Sequence, residues 1–167
     1  TGWKNPGLTD QGVSEAEHTG EKLKEQGVNF DVMFTSELKR AQNTGEIILE
    51  KLNELNLTTI KSVSLNERDY GDLTGMNKDE ARAEFGEEQV HVWRRSYDVP
   101  PPGGESLKDT YDRVVPYFES NIMPEINDSK NVLIAAHGNS LRSLVKFIED
   151  LNETDILKLE IATGEPI

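Results

Sequence analysis

Short apolar runs alternate with longer amphipathic segments along most of the chain. The runs at residues 28–36 ("VNFDVMFTS"), 59–65 ("TIKSVSL") and 131–137 ("NVLIAAH") have the length and composition of strands, and helical periodicity fills the stretches between them. Strands separated by helices pair in parallel, and a parallel sheet is covered on both faces. The sequence therefore predicts an α/β protein, a three-layer α/β/α sandwich with a mostly parallel central sheet.

Capping residues predict where the helices begin. Thr9, Ser36, Asn77 with Glu80, and Ser106 with Asp109 each precede a run with helical spacing. The predicted helices cover residues 9–27, 36–55, a short segment after 77, 87–95, 106–122 with a bend at Pro116, and 140–151.

Two predicted strands end at residues suited to anion binding. His137 ends the third strand just before a helix, and Arg40 lies in the first helical turn after the strand that ends at Ser36. Ligands of parallel sheets bind at the carboxyl ends of the strands, and helix N-termini favour anions. We therefore expect a phosphate site at this edge, although a histidine that only satisfies a backbone carbonyl would fit the same position.

The charged segment 66–75 ("NERDYGDLTG") has two interpretations. It is either a solvated loop, or a site where Glu67 transfers a proton beside the phenol of Tyr70. Arg94 and Arg95 are adjacent on a predicted helix and point about 100° apart, so both reach one ligand only if they approach it from two sides. Lys78 alone is indistinguishable from a surface lysine.

Composition limits the partners. The 167 residues carry a net charge of −13, which argues against nucleic acid and anionic membranes and requires a local cationic pocket for any anionic substrate. There is no cysteine, no apolar run long enough for a membrane span and no signal peptide, so a cytoplasmic location is expected. Three dispersed histidines favour no metal site.

Five segments together resemble one family. They are "TGWKNPGLTDQG", "FTSELKRAQNT", "LNERDYGDLTGMNKDEA", "GEEQVHVWRRSYDVPPPGGESLKDTYDRV" and "AAHGNSLR". In this order they are similar to the cofactor-dependent phosphoglycerate mutases of the histidine phosphatase superfamily. The resemblance implies a metal-free enzyme of glycolysis that interconverts 3-phosphoglycerate and 2-phosphoglycerate through a phosphohistidine. It also implies 2,3-bisphosphoglycerate as the primer and a homodimer or homotetramer.

The resemblance also assigns roles to individual residues. Arg40 would bind the transferring phosphoryl group, Glu67 would be the general acid and base, and His137 would hydrogen-bond the phosphoryl oxygens. Substrate binding would fall to Thr1, Gly2, Tyr70, Lys78, Arg94, Arg95, Gly138 and Asn139.

The sequence departs from the family at one essential point. The family's nucleophile lies in an Arg-His-Gly motif at the end of a strand upstream of Thr-Gly-Trp, and the 167 residues contain no such motif. We expect residues 1–167 to be a single domain truncated at the N-terminus and, after Ile167, at the C-terminus. Two alternatives stay open, namely a bisphosphoglycerate synthase or phosphatase of the same superfamily, and a non-catalytic protein that binds phosphorylated metabolites.

Overall fold

The computed structural model describes all 167 residues. Its helices and strands follow in the order α1 (Asp10–Glu25), β1 (Val32–Thr35), α2 (Lys39–Lys51), β2 (Thr58–Lys61), α3 (Lys78–Phe85), α4 (Glu87–Arg95), α5 (Leu107–Tyr117), α6 (Met123–Asn127), β3 (Val132–Ala135), α7 (Gly138–Ile148) and α8 (Glu153–Lys158). Short 3-10 turns cover Val63–Leu65 and Gly71–Leu73, and a π-helical turn covers Phe118–Ile122. No helix has the length and apolar character that a membrane span requires.

The three strands form one parallel sheet in the order β2-β1-β3. Val32 at the start of β1 pairs with Thr58 of β2 on one side and with Val132 of β3 on the other. β1 is buried along its whole length, whereas three of the four residues of β3 are half-buried. β3 pairs only with β1, so its other edge carries backbone groups without a strand partner.

Side chains of β1 alternate between two layers of helices. Met33 points to the face where α2 packs and contacts Leu49 and Ala135. On the other face lies the larger core cluster, which consists of Val32, Phe34, Leu65, Val114, Phe118, Ile122 and Leu144. Burying each large apolar side chain contributes about 1.5–3 kcal/mol. The predicted α/β architecture with a parallel sheet is confirmed.

Helices α3 and α4 have a small core of their own. Leu73, Ala81, Val90 and Trp93 pack together, and α3 begins with the predicted capping box between Asn77 and Glu80. The capping box of α5 between Ser106 and Asp109 and the Thr9 cap of α1 are likewise confirmed.

Several predicted boundaries are wrong. Ser36 does not cap α2, because that helix begins after Leu38, which makes no side-chain cap hydrogen bond. The helix after His137 begins at Gly138 rather than Ser140 and ends at Ile148. The predicted strand 59–65 is Thr58–Lys61 and gives way to a 3-10 turn, and the chain after Pro116 passes into a π-helical turn.

Gly71 and Gly104 bring two loops close together. Gly71 has φ of +52°, and a Cβ on Gly104 would lie 2.7 Å from the carbonyl oxygen of Asp69. Any larger side chain at Gly104 would push the 101–105 loop away from the segment that carries Glu67 and Tyr70.

Candidate active site

His137 and Ser36 meet at the carboxyl edge of the sheet, one after β3 and the other after β1. Ser36 Oγ and His137 Nε2 lie 2.7 Å apart and form a buried hydrogen bond, and Ser36 Oγ also accepts from the backbone N–H of Leu38 at 3.1 Å. Burial, followed by the positive charges of Arg40 and Arg113, lowers the pKa of His137 to about 3. The imidazole is therefore neutral at physiological pH.

Arg40 lies in the first turn of α2 beside this histidine. Its Nη1 donates to the carbonyl of Lys4 and its Nη2 to the carbonyl of Gly2, both at 2.9 Å. A guanidinium has five N–H donors, so three of those of Arg40 remain for a ligand. Burial lowers the pKa of Arg40, and the charge of Glu67 acts in the opposite direction. The guanidinium nevertheless stays charged at physiological pH.

Glu67 is half-buried and uses only one of its carboxylate oxygens within the protein. Oε1 accepts from the backbone N–H groups of Arg68 at 2.8 Å and Asn139 at 3.1 Å. Oε2 has no hydrogen-bond partner, and it lies 3.9 Å from the position that a Cβ would take on Gly138. Since Gly138 has no side chain, this oxygen faces open space at the N-terminus of α7. The structure thus leaves Oε2 free to exchange a proton with a ligand.

Asn139 joins Glu67 to Tyr70. Its backbone N–H holds Glu67, and its side-chain amide donates to the phenol oxygen of Tyr70 at 2.9 Å. Because that oxygen accepts from Asn139, the phenol proton remains available to a ligand. Burial and the charge of Glu67 raise the pKa of Tyr70, which keeps the phenol protonated.

A cationic pocket of about 330 Å³ opens beside Tyr70 and Asn139. Six of its fourteen lining residues are arginine or lysine, and one, Glu87, is acidic. The lining comprises Arg68, Tyr70, Lys78, Arg82, Glu87, Val90, His91, Arg94, Arg95, Ser96, Leu107, Asn139, Arg142 and Leu157. The protein as a whole is strongly acidic, so this pocket concentrates positive charge where an anion could bind.

The expected binding residues divide between the pocket and its surroundings. Arg94, Arg95 and Lys78 line the pocket together, although Arg94 and Arg95 are adjacent in sequence. Gly2 lies against the Tyr70 ring and Thr74, since a Cβ placed on Gly2 would be 3.2 Å from a ring carbon of Tyr70 and 3.2 Å from Thr74 Oγ1. Thr1 instead lines a separate, shallow depression with Asn77.

A half-buried ion pair supports this arrangement and was not predicted. Arg113 on α5 makes a two-fold contact with Glu105 at 2.7 and 2.8 Å, and it also donates to the carbonyls of Ser64 at 2.8 Å and Glu67 at 3.0 Å. Arg68 donates to the carbonyl of Trp93 at 3.0 Å and so ties the Glu67 segment to α4. No local pattern distinguishes Arg113, because its carbonyl partners lie more than forty residues away in sequence.

Other site residues were also missed. Ser36 was expected to cap a helix, whereas it binds His137. Arg82, His91 and Arg142 line the pocket without having been singled out as ligand-binding residues. In the structure, no group of three or more His, Asp or Glu side chains converges as metal ligands would.

Comparison with known proteins identifies similar sequences over the whole chain. Residues 1–165 match the model of the histidine phosphatase superfamily, branch 1. A protein from Bradyrhizobium sp. (strain ORS 278) named 2,3-bisphosphoglycerate-dependent phosphoglycerate mutase is 62% identical over 100% of this chain and 81% of its own length. A protein of the same name from Brucella melitensis biotype 2 is 58% identical with the same coverage.

Solved structures share the fold at low sequence identity. A mycobacterial glucosyl-3-phosphoglycerate phosphatase in complex with VO3 superposes with a TM-score of 0.81 at 22% identity, over 96% of this chain and 77% of that one. The α-ribazole phosphatase from Shigella flexneri superposes with a TM-score of 0.80 at 22% identity, over 98% of this chain and 78% of that one.

Proposed function

Because the chain belongs to the histidine phosphatase superfamily, and within it to the 2,3-bisphosphoglycerate-dependent phosphoglycerate mutases, we propose that it catalyses the interconversion of 3-phosphoglycerate and 2-phosphoglycerate. The observation that carries this proposal is the position of Asn139. This residue binds both the carboxylate of Glu67 and the phenol of Tyr70, so it links a proton-transfer group to a cationic pocket. A mutase needs both, since its substrate must be held at its acidic groups while a hydroxyl gains or loses a proton.

Arg40 and His137 are suited to the transferring phosphoryl group. Arg40 retains free N–H donors. A neutral His137 has a single N–H, so on this proposal its Nε2 donates to a phosphoryl oxygen in place of its contact with Ser36 Oγ. Phosphoryl transfer depends mainly on positioning and on neutralising the charge of the phosphoryl oxygens. Glu67 Oε2 then takes the proton from the attacking substrate hydroxyl and returns it in the reverse step.

The cationic pocket fits 2,3-bisphosphoglycerate. Lys78, Arg94 and Arg95 make no ion pair within the protein, so a ligand with several acidic groups would neutralise charges that are otherwise unpaired. When bound, this ligand would supply the phosphoryl group that primes the enzyme.

The nucleophile that the resemblance implies has no counterpart among the three histidines, because the sequence has no Arg-His-Gly motif. We infer that the strand carrying it pairs with the free edge of β3. That edge lacks a strand partner, and β3 leads directly into His137, so the end of an added parallel strand would lie beside the Arg40–His137 cluster. On this proposal, residues 1–167 form most of a single mutase domain.

The test is conversion of 3-phosphoglycerate by the natural protein primed with a trace of 2,3-bisphosphoglycerate. Formation of 2-phosphoglycerate and release of inorganic phosphate are followed in parallel. Formation of 2-phosphoglycerate with little phosphate release supports the mutase. Steady phosphate release without 2-phosphoglycerate would identify a phosphatase, and binding of 3-phosphoglycerate without either product would identify a non-catalytic binding protein.

The resemblance further supports a homodimer or homotetramer and a cytoplasmic location, and both are part of the proposal. Light scattering coupled to gel filtration of the natural protein tests the assembly, and a monomer at micromolar concentration would contradict it.

A further inference from the structure

The cationic pocket contains one half-buried arginine to which neither the resemblance nor the proposed mechanism gives a role. Arg142 lies on α7 and lines the pocket together with Arg94 and Arg95 of α4. Its guanidinium makes no hydrogen bond or ion pair within the protein, in contrast to Arg40, Arg68 and Arg113.

The position of Arg142 on its helix directs it toward the pocket. Residues three apart on an α-helix share a face, and Arg142 follows Asn139 by three positions. Asn139 donates to Tyr70 OH, so the face that carries Arg142 is the one turned toward Tyr70. The neighbouring Leu144 points into the core instead.

Arg142 brings a positive charge and five N–H donors to the lining of the pocket. No group of the protein pairs with this charge or accepts from these donors, and the side chain is half-buried. Glu87 is the acidic residue in the lining, and it forms no ion pair with Arg142. An anionic ligand is therefore the natural partner for this side chain.

We propose that Arg142 binds an acidic group of the substrate at the end away from Arg40 and His137, so that α7 and α4 grip that end from two sides. This inference rests on the proposed function and adds a residue to its binding site. Arg94 and Arg95 approach from one helix, and Arg142 supplies a planar fork from another. The pocket accordingly favours substrates that carry a second acidic group over phosphate esters of neutral alcohols.

The test combines three variants of the natural protein. Arg142→Ala should raise both the Kd of 3-phosphoglycerate, measured by calorimetry, and its KM by about tenfold or more, because a charge-assisted pair is lost. It should change kcat by less than about threefold, because a contact made equally with the bound substrate and with the transition state affects KM but not kcat. Arg142→Lys keeps the charge but not the planar fork, so its Kd and KM should lie between those of the wild type and those of Arg142→Ala. Lys24→Ala removes the same charge from the exposed face of α1 and should match the wild type.

Thermal unfolding distinguishes binding from a structural role. Without ligand, Arg142→Ala should melt close to the wild-type midpoint, whereas the rise that 3-phosphoglycerate produces should be much smaller than in the wild type. A Kd within twofold of wild type, or a fall in kcat at unchanged KM, would overturn the assignment of Arg142. If 3-phosphoglycerate binds through Arg142 but is not converted, the assignment stands and the proposed function fails.

Discussion

Replacing Arg113 by methionine should destabilise the protein and loosen the segment that carries Glu67. The methionine keeps the length and the apolar stem but removes all five N–H donors. Glu105 would lose its two-fold partner, and the carbonyls of Ser64 and Glu67 would each lose a hydrogen bond.

The magnitude follows from how deeply the pair is buried. Removing one partner from a buried ion pair costs about 3–5 kcal/mol because the remaining charge is left uncompensated. Both side chains are 21% exposed, so solvent softens the loss and the lower end, about 3 kcal/mol, applies. A domain of this size loses about 2–4 °C of midpoint per kcal/mol, so the Tm should fall by roughly 9 °C.

The effect should also depend on pH. Burial alone would raise the pKa of Glu105, but the hydrogen bonds from Arg113 and from the backbone of Asp69 outweigh it and the pKa lies below its ordinary value. A carboxylate with a lowered pKa stabilises the folded state above its unfolded pKa and loses that contribution as the pH falls through the folded pKa. The difference in Tm between wild type and variant should therefore have its largest value at pH 7. It should shrink below about pH 4.3, the ordinary pKa of glutamate.

Thermal unfolding followed by circular dichroism at pH 7 and pH 4 measures both effects. Lys108→Met is the matched control, since Lys108 pairs with Asp112 on the exposed surface and should leave the midpoint nearly unchanged. A fall in Tm of less than about 2 °C for Arg113→Met at pH 7, the scale of an ordinary surface substitution, would refute the reasoning.

Three further predictions concern the site itself. Glu67→Gln should lower kcat by about 100-fold or more while KM changes only a few-fold, and comparable turnover in steady-state assays would remove Glu67 from proton transfer. Arg94→Ala or Arg95→Ala should raise the KM for 3-phosphoglycerate by about tenfold, and an unchanged apparent affinity in both would contradict the pocket assignment. His137, with a pKa lowered to about 3, should give imidazole NMR signals of the neutral ring down to about pH 4, and a midpoint near 6.5 would contradict it. The unfolded chain binds this proton more readily, so His137 should make the fold less stable as the pH falls from about 6.5 toward 3.

Local chemistry explains which elements could be predicted. Thr9, Asn77 with Glu80, and Ser106 with Asp109 cap their helices through contacts within three residues, so the sequence alone contains the signal. The sequence also predicted that His137 ends a strand, because the apolar run before it gives way directly to a helical pattern after it.

Long-range pairing explains what could not be predicted. Ser36 precedes a helix and has the chemistry of a cap, but strand register brings it beside His137, 101 residues away, and the helix begins without it. Arg113 and Arg142 differ from surface arginines only through partners and neighbours that the fold supplies. The sequence therefore singled out Arg40, Glu67 and His137 as candidates, while the residues that hold them in place required the structure.

Asn139 couples two properties that engineers usually try to alter separately. Substituting Tyr70 to admit a bulkier phosphate ester would take away the partner of the Asn139 side-chain amide, and the same residue holds Glu67 through its backbone N–H. Substrate range and proton-transfer efficiency should therefore change together during directed evolution. Useful variants should carry paired substitutions at Tyr70 and Asn139 rather than a single substitution at either position.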